Sequence, residues 1–331
     1  MPSNGFLLEI NRNPMNKVLE KIHRKLTAGP ALSELGEKLS LSELNTFLLE
    51  LFRRKAEHIK PAHLLRQFGE NRFVTPASVD TLALRQTELD WLKYAQEQYF
   101  HPLTLSPLAP FGACSAIGHV DQNNILSAVR GTEVVSDATN ILALQIAQET
   151  KATRDKDAIF RYAATHRHVR GQAFDNPNFT AHFSIFCMAS GGWDMGNYAF
   201  ELGQLNEHLS IFLALLRRHF QEERLSIRFY RKKNAQIFFE RMKEYKQGVW
   251  HSMPFEFQDD LEHEYYGLIQ FKVFLRLEDG EIDLADGGPV DWTQRLLSNK
   301  KHRLFISGIG LELVHKLGED ANIQKNTDNY G

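Results

Sequence analysis

Apolar residues along the chain follow two rhythms. From Leu44 to Phe52 they recur at helical spacing (Leu44, Phe47, Leu48, Leu51, Phe52). Ser40 with Glu43 three residues on forms a capping box that predicts where this helix starts. Arg53, Arg54 and Lys55 close it, where cations suit the negative end of the helix dipole; they read as a solvated helix end rather than an RNA-binding patch. Val18, Leu19 and Ile22 mark a helix over residues 15–26. The pattern predicts further helices over 82–99, from Leu142, and over 205–220, 234–245, 291–297 and 311–317. Strands are predicted over 125–130, 132–135, 179–188, 225–230, 266–277 and 305–310, with Phe271, Val273 and Leu275 sharing one face.

Punctuation divides these elements. Residues 61–76 mix Pro, Gly and Asn and predict a soft boundary. Pro102, Pro107 and Pro110 exclude a regular helix over 103–112. Gly191 and Gly192 are expected to end a strand, and residues 287–291 to turn the chain. Helices inserted irregularly among strands, without βαβ alternation, predict an α+β domain around an antiparallel sheet. The expected organisation is a helical extension over 1–80, a core over 81–318 and a polar tail over 319–331.

Composition narrows the classes. At 331 residues with 43% hydrophobic and 24% charged residues, the chain suits a globular protein. Lys and Arg number 39 against 41 Asp and Glu, which counts against a chain built to wrap nucleic acid. Cys114 and Cys187 form no CxxC pair and are expected as reduced thiols in a cytoplasmic protein. Residues 1–9 lack a signal-peptide pattern, and no apolar run of about 18 residues predicts a membrane span.

The common nucleotide and hydrolase signatures (GxxxxGK[ST], GxGxxG after a strand, HExxH, GxSxG) are absent. His166, Arg167, His168 and Arg170 form a basic cluster, either a phosphate-facing strand or a solvated edge strand; no ligand spacing for a metal accompanies it. Glu133 and Asp137 could pair, but nothing marks a glycosidase-like site. Asp137, just before a helix, would cap it.

An ordered series of segments carries more. Val135 to Asn140 holds Asp137 and Thr139 before a helix. Val169-Arg170-Gly171-Gln172 leads through a loop to His182 and Phe186. Glu264-Tyr265-Tyr266-Gly267 precedes a long strand. Gly287-Gly288-Pro289-Val290-Asp291 follows, and Ser307-Gly308-Ile309-Gly310-Leu311-Glu312-Leu313 closes the series. This series resembles the catalytic core of class II aminoacyl-tRNA synthetases, in the histidyl-tRNA synthetase branch, over residues 103–317. The anticodon-binding domain usual in that branch has no counterpart.

The resemblance implies a class II fold, an antiparallel sheet flanked by helices, and a homodimer. It implies ATP with Mg²⁺ as cofactor and an amino-acid-like ligand. Arg170 would neutralise the α-phosphate as the catalytic residue, with Gln172, His182 and Phe186 completing the nucleotide site; Arg161 and Arg167 are alternatives for that arginine. An ammonium needs a carboxylate and neutral acceptors at short range, so Asp137 and Thr139 would hold the ligand's amino group. Tyr265 and Tyr266 would line its pocket. Two departures stand out. No arginine lies among residues 260–263, and the motif 3 arginine falls on Leu313, which has no charge and no donor. Preorganised donors are worth about 3 kcal/mol each in a transition state. The expected function is therefore a paralogue that binds a ligand and regulates a protein partner without charging tRNA. The alternative is an enzyme that adenylates a carboxylate for a non-tRNA acceptor.

Overall fold

The computed structural model describes residues 22, 25, 31–153, 155–172, 180–232, 235–259 and 266–318. The expected helix over 15–26, apart from Ile22 and Lys25, lies outside them, as do Tyr265 and the tail beyond 318. The chain divides into two compact units, residues 1–64 with 128–131, and residues 65–127 with 132–331.

The first unit holds helices α1 (Ala31–Lys38) and α2 (Leu41–Ala56). The capping box forms as the sequence predicts. The Ser40 hydroxyl accepts the Glu43 N–H at 3.3 Å, and the Ser40 N–H donates to Glu43 Oε2 at 2.8 Å. The stripe on α2 stays open, with Phe47, Leu51 and Phe52 exposed. Within this unit the Asn45 side-chain oxygen accepts the Arg130 N–H at 3.1 Å. The segment expected as a boundary contains helix α3 (Pro61–Glu70). Proline at a helix's first position lacks only an N–H that has no partner there anyway, so it starts α3 rather than breaking it.

The second unit opens with α4 (Thr81–Glu97), capped by Asp80. Short strands β1 (His101–Pro102), β2 (Leu108–Pro110), β3 (Ser127–Ala128, whose two residues fall one in each unit) and β4 (Thr132–Val134) follow, with helix α5 (Ala113–Gly118) between β2 and β3. Next come α6 (Ala138–Ala152), β5 (Phe160–Val169), β6 (His182–Trp193), α7 (Ala199–Leu216), β7 (Leu225–Arg231) and α8 (Gln236–Glu244). The chain continues with β8 (Phe255–Gln258), β9 (Ile269–Leu277), β10 (Gly280–Val290), α9 (Trp292–Leu297) and β11 (His302–Ile309). A last helix, α10, covers residues 311–318.

Eight strands form one sheet in the order β1-β5-β6-β11-β10-β9-β7-β8. Every pairing from β5 to β7 is antiparallel, and the two edge pairings are parallel. Helix α7 lies against one face, in a core with Phe186, Met188, Phe271, Val273, Leu275 and Phe305. Helix α6 lies against the other, with Cys187, Ala189, Leu304 and Ile306.

Both glycine pairs correct the sequence reading. Gly191 and Gly192 lie inside β6, and Gly287 and Gly288 inside β10. They serve close packing rather than turning. A Cβ on Gly191 would sit 2.3 Å from Ile146 of α6, and one on Gly288 would sit 2.3 Å from the Ile269 carbonyl.

Candidate functional site

A cavity of about 310 Å³ opens in the second unit, bordered by the start of α6, the end of β5, β6, β10, β11 and α10. Asp137 and Thr139 border it together. Asp137 is the N-cap of α6: its Oδ1 accepts the Thr139 N–H at 2.9 Å and the Thr139 hydroxyl at 2.7 Å. The cap and the cavity wall are therefore the same residues.

Arg170 follows the last residue of β5. Its guanidinium lies 5.2 Å from the centroid of Phe183, and its Nε reaches the Ser136 carbonyl at 3.4 Å. Phe183 borders the cavity, and so does His168, near the end of β5. Of the three candidate arginines, Arg170 is the one on the wall. Arg161 is committed to Glu207 by two bonds of 2.7 and 2.9 Å, and Arg167 to Glu312 at 2.7 Å. Arg167, His168 and Arg170 of the basic cluster are thus divided among an ion pair, a buried imidazole and the cavity.

A second wall comes from β10. Asp283 and Asp286 are three apart and would face opposite ways on a regular strand. The register between β10 and β9 shifts between Asp283 and Ala285, and both aspartates reach the cavity. Asp286 accepts the Tyr266 hydroxyl at 3.0 Å and the Gln270 amide at 3.1 Å. Lys272 lies 3.2 Å from Asp283. Burial, reinforced by the neighbouring Asp286 and opposed by Lys272, pushes the Asp283 carboxyl up to about 6.

The third wall is the passage from β11 into α10. Glu312 is buried; it accepts the Ser184 N–H at 3.2 Å and pairs with Arg167 and with Lys316 at 3.0 Å. Burial acts to raise its carboxyl. The Lys316 bond and the charges of Arg167 and Lys316 outweigh it and hold the group below its usual range. Leu313 and Lys316, neighbours on one helical face, both border the cavity.

No family model matches the chain, and no curated protein matches it in sequence. Solved structures do match in fold. The apo histidyl-tRNA synthetase of S. aureus aligns with TM-score 0.56 and 10% identity over 74% of this chain and 69% of that one. An ATP phosphoribosyltransferase regulatory subunit/histidyl-tRNA synthetase from Bacillus halodurans aligns at 0.55 and 12%, over 74% and 82%. A histidine–tRNA ligase subunit from Alicyclobacillus acidocaldarius aligns at 0.56 and 10%, over 75% and 96%. The fold is that of the class II aminoacyl-tRNA synthetase catalytic core. At these identities the likeness is one of fold.

Within this class II fold, segments far apart in sequence converge. The register that pairs Gly308 with Cys187 and Ile309 with Phe186 brings the β5–β6 hairpin beside the β11–α10 passage. Asp137, Thr139, Arg170 and Tyr266 of the expected residues meet at the cavity. Gln172, His182 and Phe186 do not. Gln172 is exposed beyond the end of β5, and its carbonyl accepts Arg72 Nη1 at 3.0 Å. The His182 ring is held between Arg167 at 2.8 Å and the Thr75 carbonyl at 2.7 Å. Phe186 is fully buried on the α7 side. Residues of a strand alternate between faces, so Phe183 takes the cavity wall and Phe186 cannot.

Sequence reasoning also passed over Asp283, Asp286 and Lys316. Lys316 carried a signal, as the next cation one turn after Leu313; the aspartates did not, because a strand register shift leaves no simple sequence mark. Glu133, by contrast, is a buried staple: it accepts the N–H groups of Gly112 at 2.8 Å and Cys114 at 3.0 Å. Both cysteines are free and buried, and burial pushes the Cys114 thiol up to about 12. Among the described residues no helix is long and apolar enough to cross a membrane, and no three acidic, histidine or cysteine side chains are grouped to hold a metal ion.

Proposed function

We propose that this chain binds a small amino-acid- or nucleotide-type ligand in the cavity and acts as a binding or regulatory protein without charging tRNA. The observation that carries the reading is Leu313 on the cavity wall, where the resemblance calls for a phosphate-clamping arginine. An apolar side chain there fills space and stabilises no phosphate charge. The cavity otherwise keeps recognition chemistry of both signs: Arg170 for an anion, Asp137 with Thr139 for an ammonium. The Bacillus halodurans protein that shares this fold is described as a regulatory subunit/histidyl-tRNA synthetase, and the first half of that description supports the reading by analogy. The same reading makes the protein a cytoplasmic homodimer, with a second protein as the regulated partner.

The second reading, an ATP-dependent enzyme that adenylates a carboxylate, is favoured by Lys316. It puts an ammonium on the wall three residues after Leu313, and with Arg170 it could take nucleotide phosphates; Mg²⁺ would then enter with the nucleotide. Calorimetric titration of the full chain with ATP and Mg²⁺, and with a pool of the twenty amino acids, tests both. Saturable heat that Arg170→Ala removes, without pyrophosphate release, is the expected result. Pyrophosphate release would select the adenylating enzyme. No heat at millimolar concentrations would overturn both.

A further inference from the structure

His168 is a polar side chain that the fold leaves half satisfied. It lies on β5, 1% exposed, with its ring edge-on to Phe183 at 6.2 Å. Its Nε2 accepts the N–H of Ala138, the first residue of α6, at 3.0 Å. An accepting nitrogen carries no proton, so the neutral ring carries its proton on Nδ1. The ring is held neutral: burial, then the charges of Arg170 and His166, keep its pKa well below the ordinary histidine value.

That Nδ1–H is enclosed and has no hydrogen-bond partner among the described residues. Leaving a buried donor unmade costs about 1–3 kcal/mol, and native structures seldom do so without a reason. Position supplies the reason. The indole N–H groups of Trp91 and Trp250, also enclosed and unmade, belong to the apolar core beneath α7. His168 instead borders the cavity, beside the ring on which the Arg170 guanidinium rests.

We infer that His168 is a ligand-binding residue, whose Nδ1–H donates to an anionic oxygen of the cavity's ligand next to the Arg170 guanidinium. The inference rests on the reading of the cavity as a ligand site. A guanidinium and a neutral donor sharing one aromatic wall suit an oxyanion, whether carboxylate or phosphate. The imidazole supplies direction without adding charge, and it is no proton donor in a reaction. The N-terminus of α6 fixes the tautomer, so the donor stands ready before the ligand arrives.

The test is imidazole ¹⁵N NMR of the full chain at neutral pH, with His168 assigned by its absence in His168→Gln. Glutamine can still accept the Ala138 N–H, so the variant should keep its thermal midpoint while losing the donor at the Nδ1 position. In the wild type, His168 is expected as the Nδ1–H tautomer. Titration with ATP and Mg²⁺, and separately with the twenty amino acids, should move its Nδ1 signal saturably in one arm. ATP would identify a phosphate oxygen, an amino acid a carboxylate. The active probe should bind His168→Gln about tenfold more weakly, the loss of one hydrogen bond to a charged group. Three results would overturn the inference: an Nε2–H tautomer, an Nδ1 signal that stays still while Phe183 and Thr139 signals move, or unchanged binding by His168→Gln. If no cavity signal moves with any probe, the ligand site itself falls, and the inference with it.

Discussion

Strand β6 presents two surfaces on alternate residues. On the α7 side, Phe186 meets Trp91 edge-on at 5.6 Å and Phe212 at 6.4 Å, inside a continuous apolar core. On the other side, Phe183 borders the cavity with His168 and Arg170 around it. Two phenylalanines three residues apart therefore do different work. One closes a core whose value is the water it excludes; the other is half-buried beside groups whose hydrogen-bonding capacity is only partly used. In β6, the ring that closes the core and the ring that borders the cavity are separated by the parity of the strand.

The largest effect separating the faces should be Phe186→Ala. Emptying this site should cost about 3–5 kcal/mol, read as a lower urea midpoint with an unchanged slope. Phe183→Ala should cost clearly less, because its ring is only partly buried. Equal losses would remove the distinction. Next, Gly288→Ala should cost about 1–3 kcal/mol. Its Cβ would meet the Ile269 carbonyl at 2.3 Å and the Tyr266 ring at 2.8 Å, so backbone must shift and the cavity wall with it. A thermal midpoint within a degree of wild type would refute the close-packing role of that glycine pair.

The α7 face has a polar exception that sharpens the contrast. His208, fully buried, bridges the hydroxyls of Ser190 at 2.9 Å and Ser307 at 2.7 Å. Burial, with the charge of Arg161, pushes its pKa down to about 3 from 6.5. A depressed base binds fewer protons folded than unfolded, so its stabilisation is complete above pH 6.5 and is lost as pH falls towards 3. The slope approaches about 1.4 kcal/mol per pH unit. His208→Gln should flatten that slope in denaturation measured across pH 4–7; an unchanged slope would contradict the buried neutral ring. The smallest effect lies on the cavity face. Asp283 is an acid raised to about 6 from 3.8, so the folded state holds its proton more tightly and stability falls as pH rises through that window. Asp283→Asn should stabilise the protein above pH 6 by up to about 1 kcal/mol, since solvent screens a partly exposed carboxylate. Destabilisation instead would show that its pairing with Lys272 outweighs its burial.

Much of the fold was legible. The α2 capping box, the cap at Asp137, and the apolar face of Phe271, Val273 and Leu275 follow from local rules that tertiary contacts did not override. The resemblance, not a local rule, singled out Asp137, Thr139 and Tyr266, and all three border one cavity. Three kinds of feature were not legible. Proline at the head of α3 and glycines inside β6 and β10 look like punctuation until a neighbouring element is known to need their shape. The parity that selects Phe183 over Phe186 depends on which face of β6 meets α7. The meeting of Asp283 with Asp286 depends on a register shift, a property of two strands together.

The central claim is that the cavity beside this sheet, and not merely the fold, is a ligand site. The most direct measurement is the dissociation constant of Phe183→Ala beside that of the wild type, by calorimetry, for whichever of ATP with Mg²⁺ or the twenty amino acids gives saturable heat. The account predicts binding by the wild type and at least tenfold weaker binding by Phe183→Ala with the fold intact. Equal affinity, or no saturable heat from the wild type with any of these ligands, would contradict it.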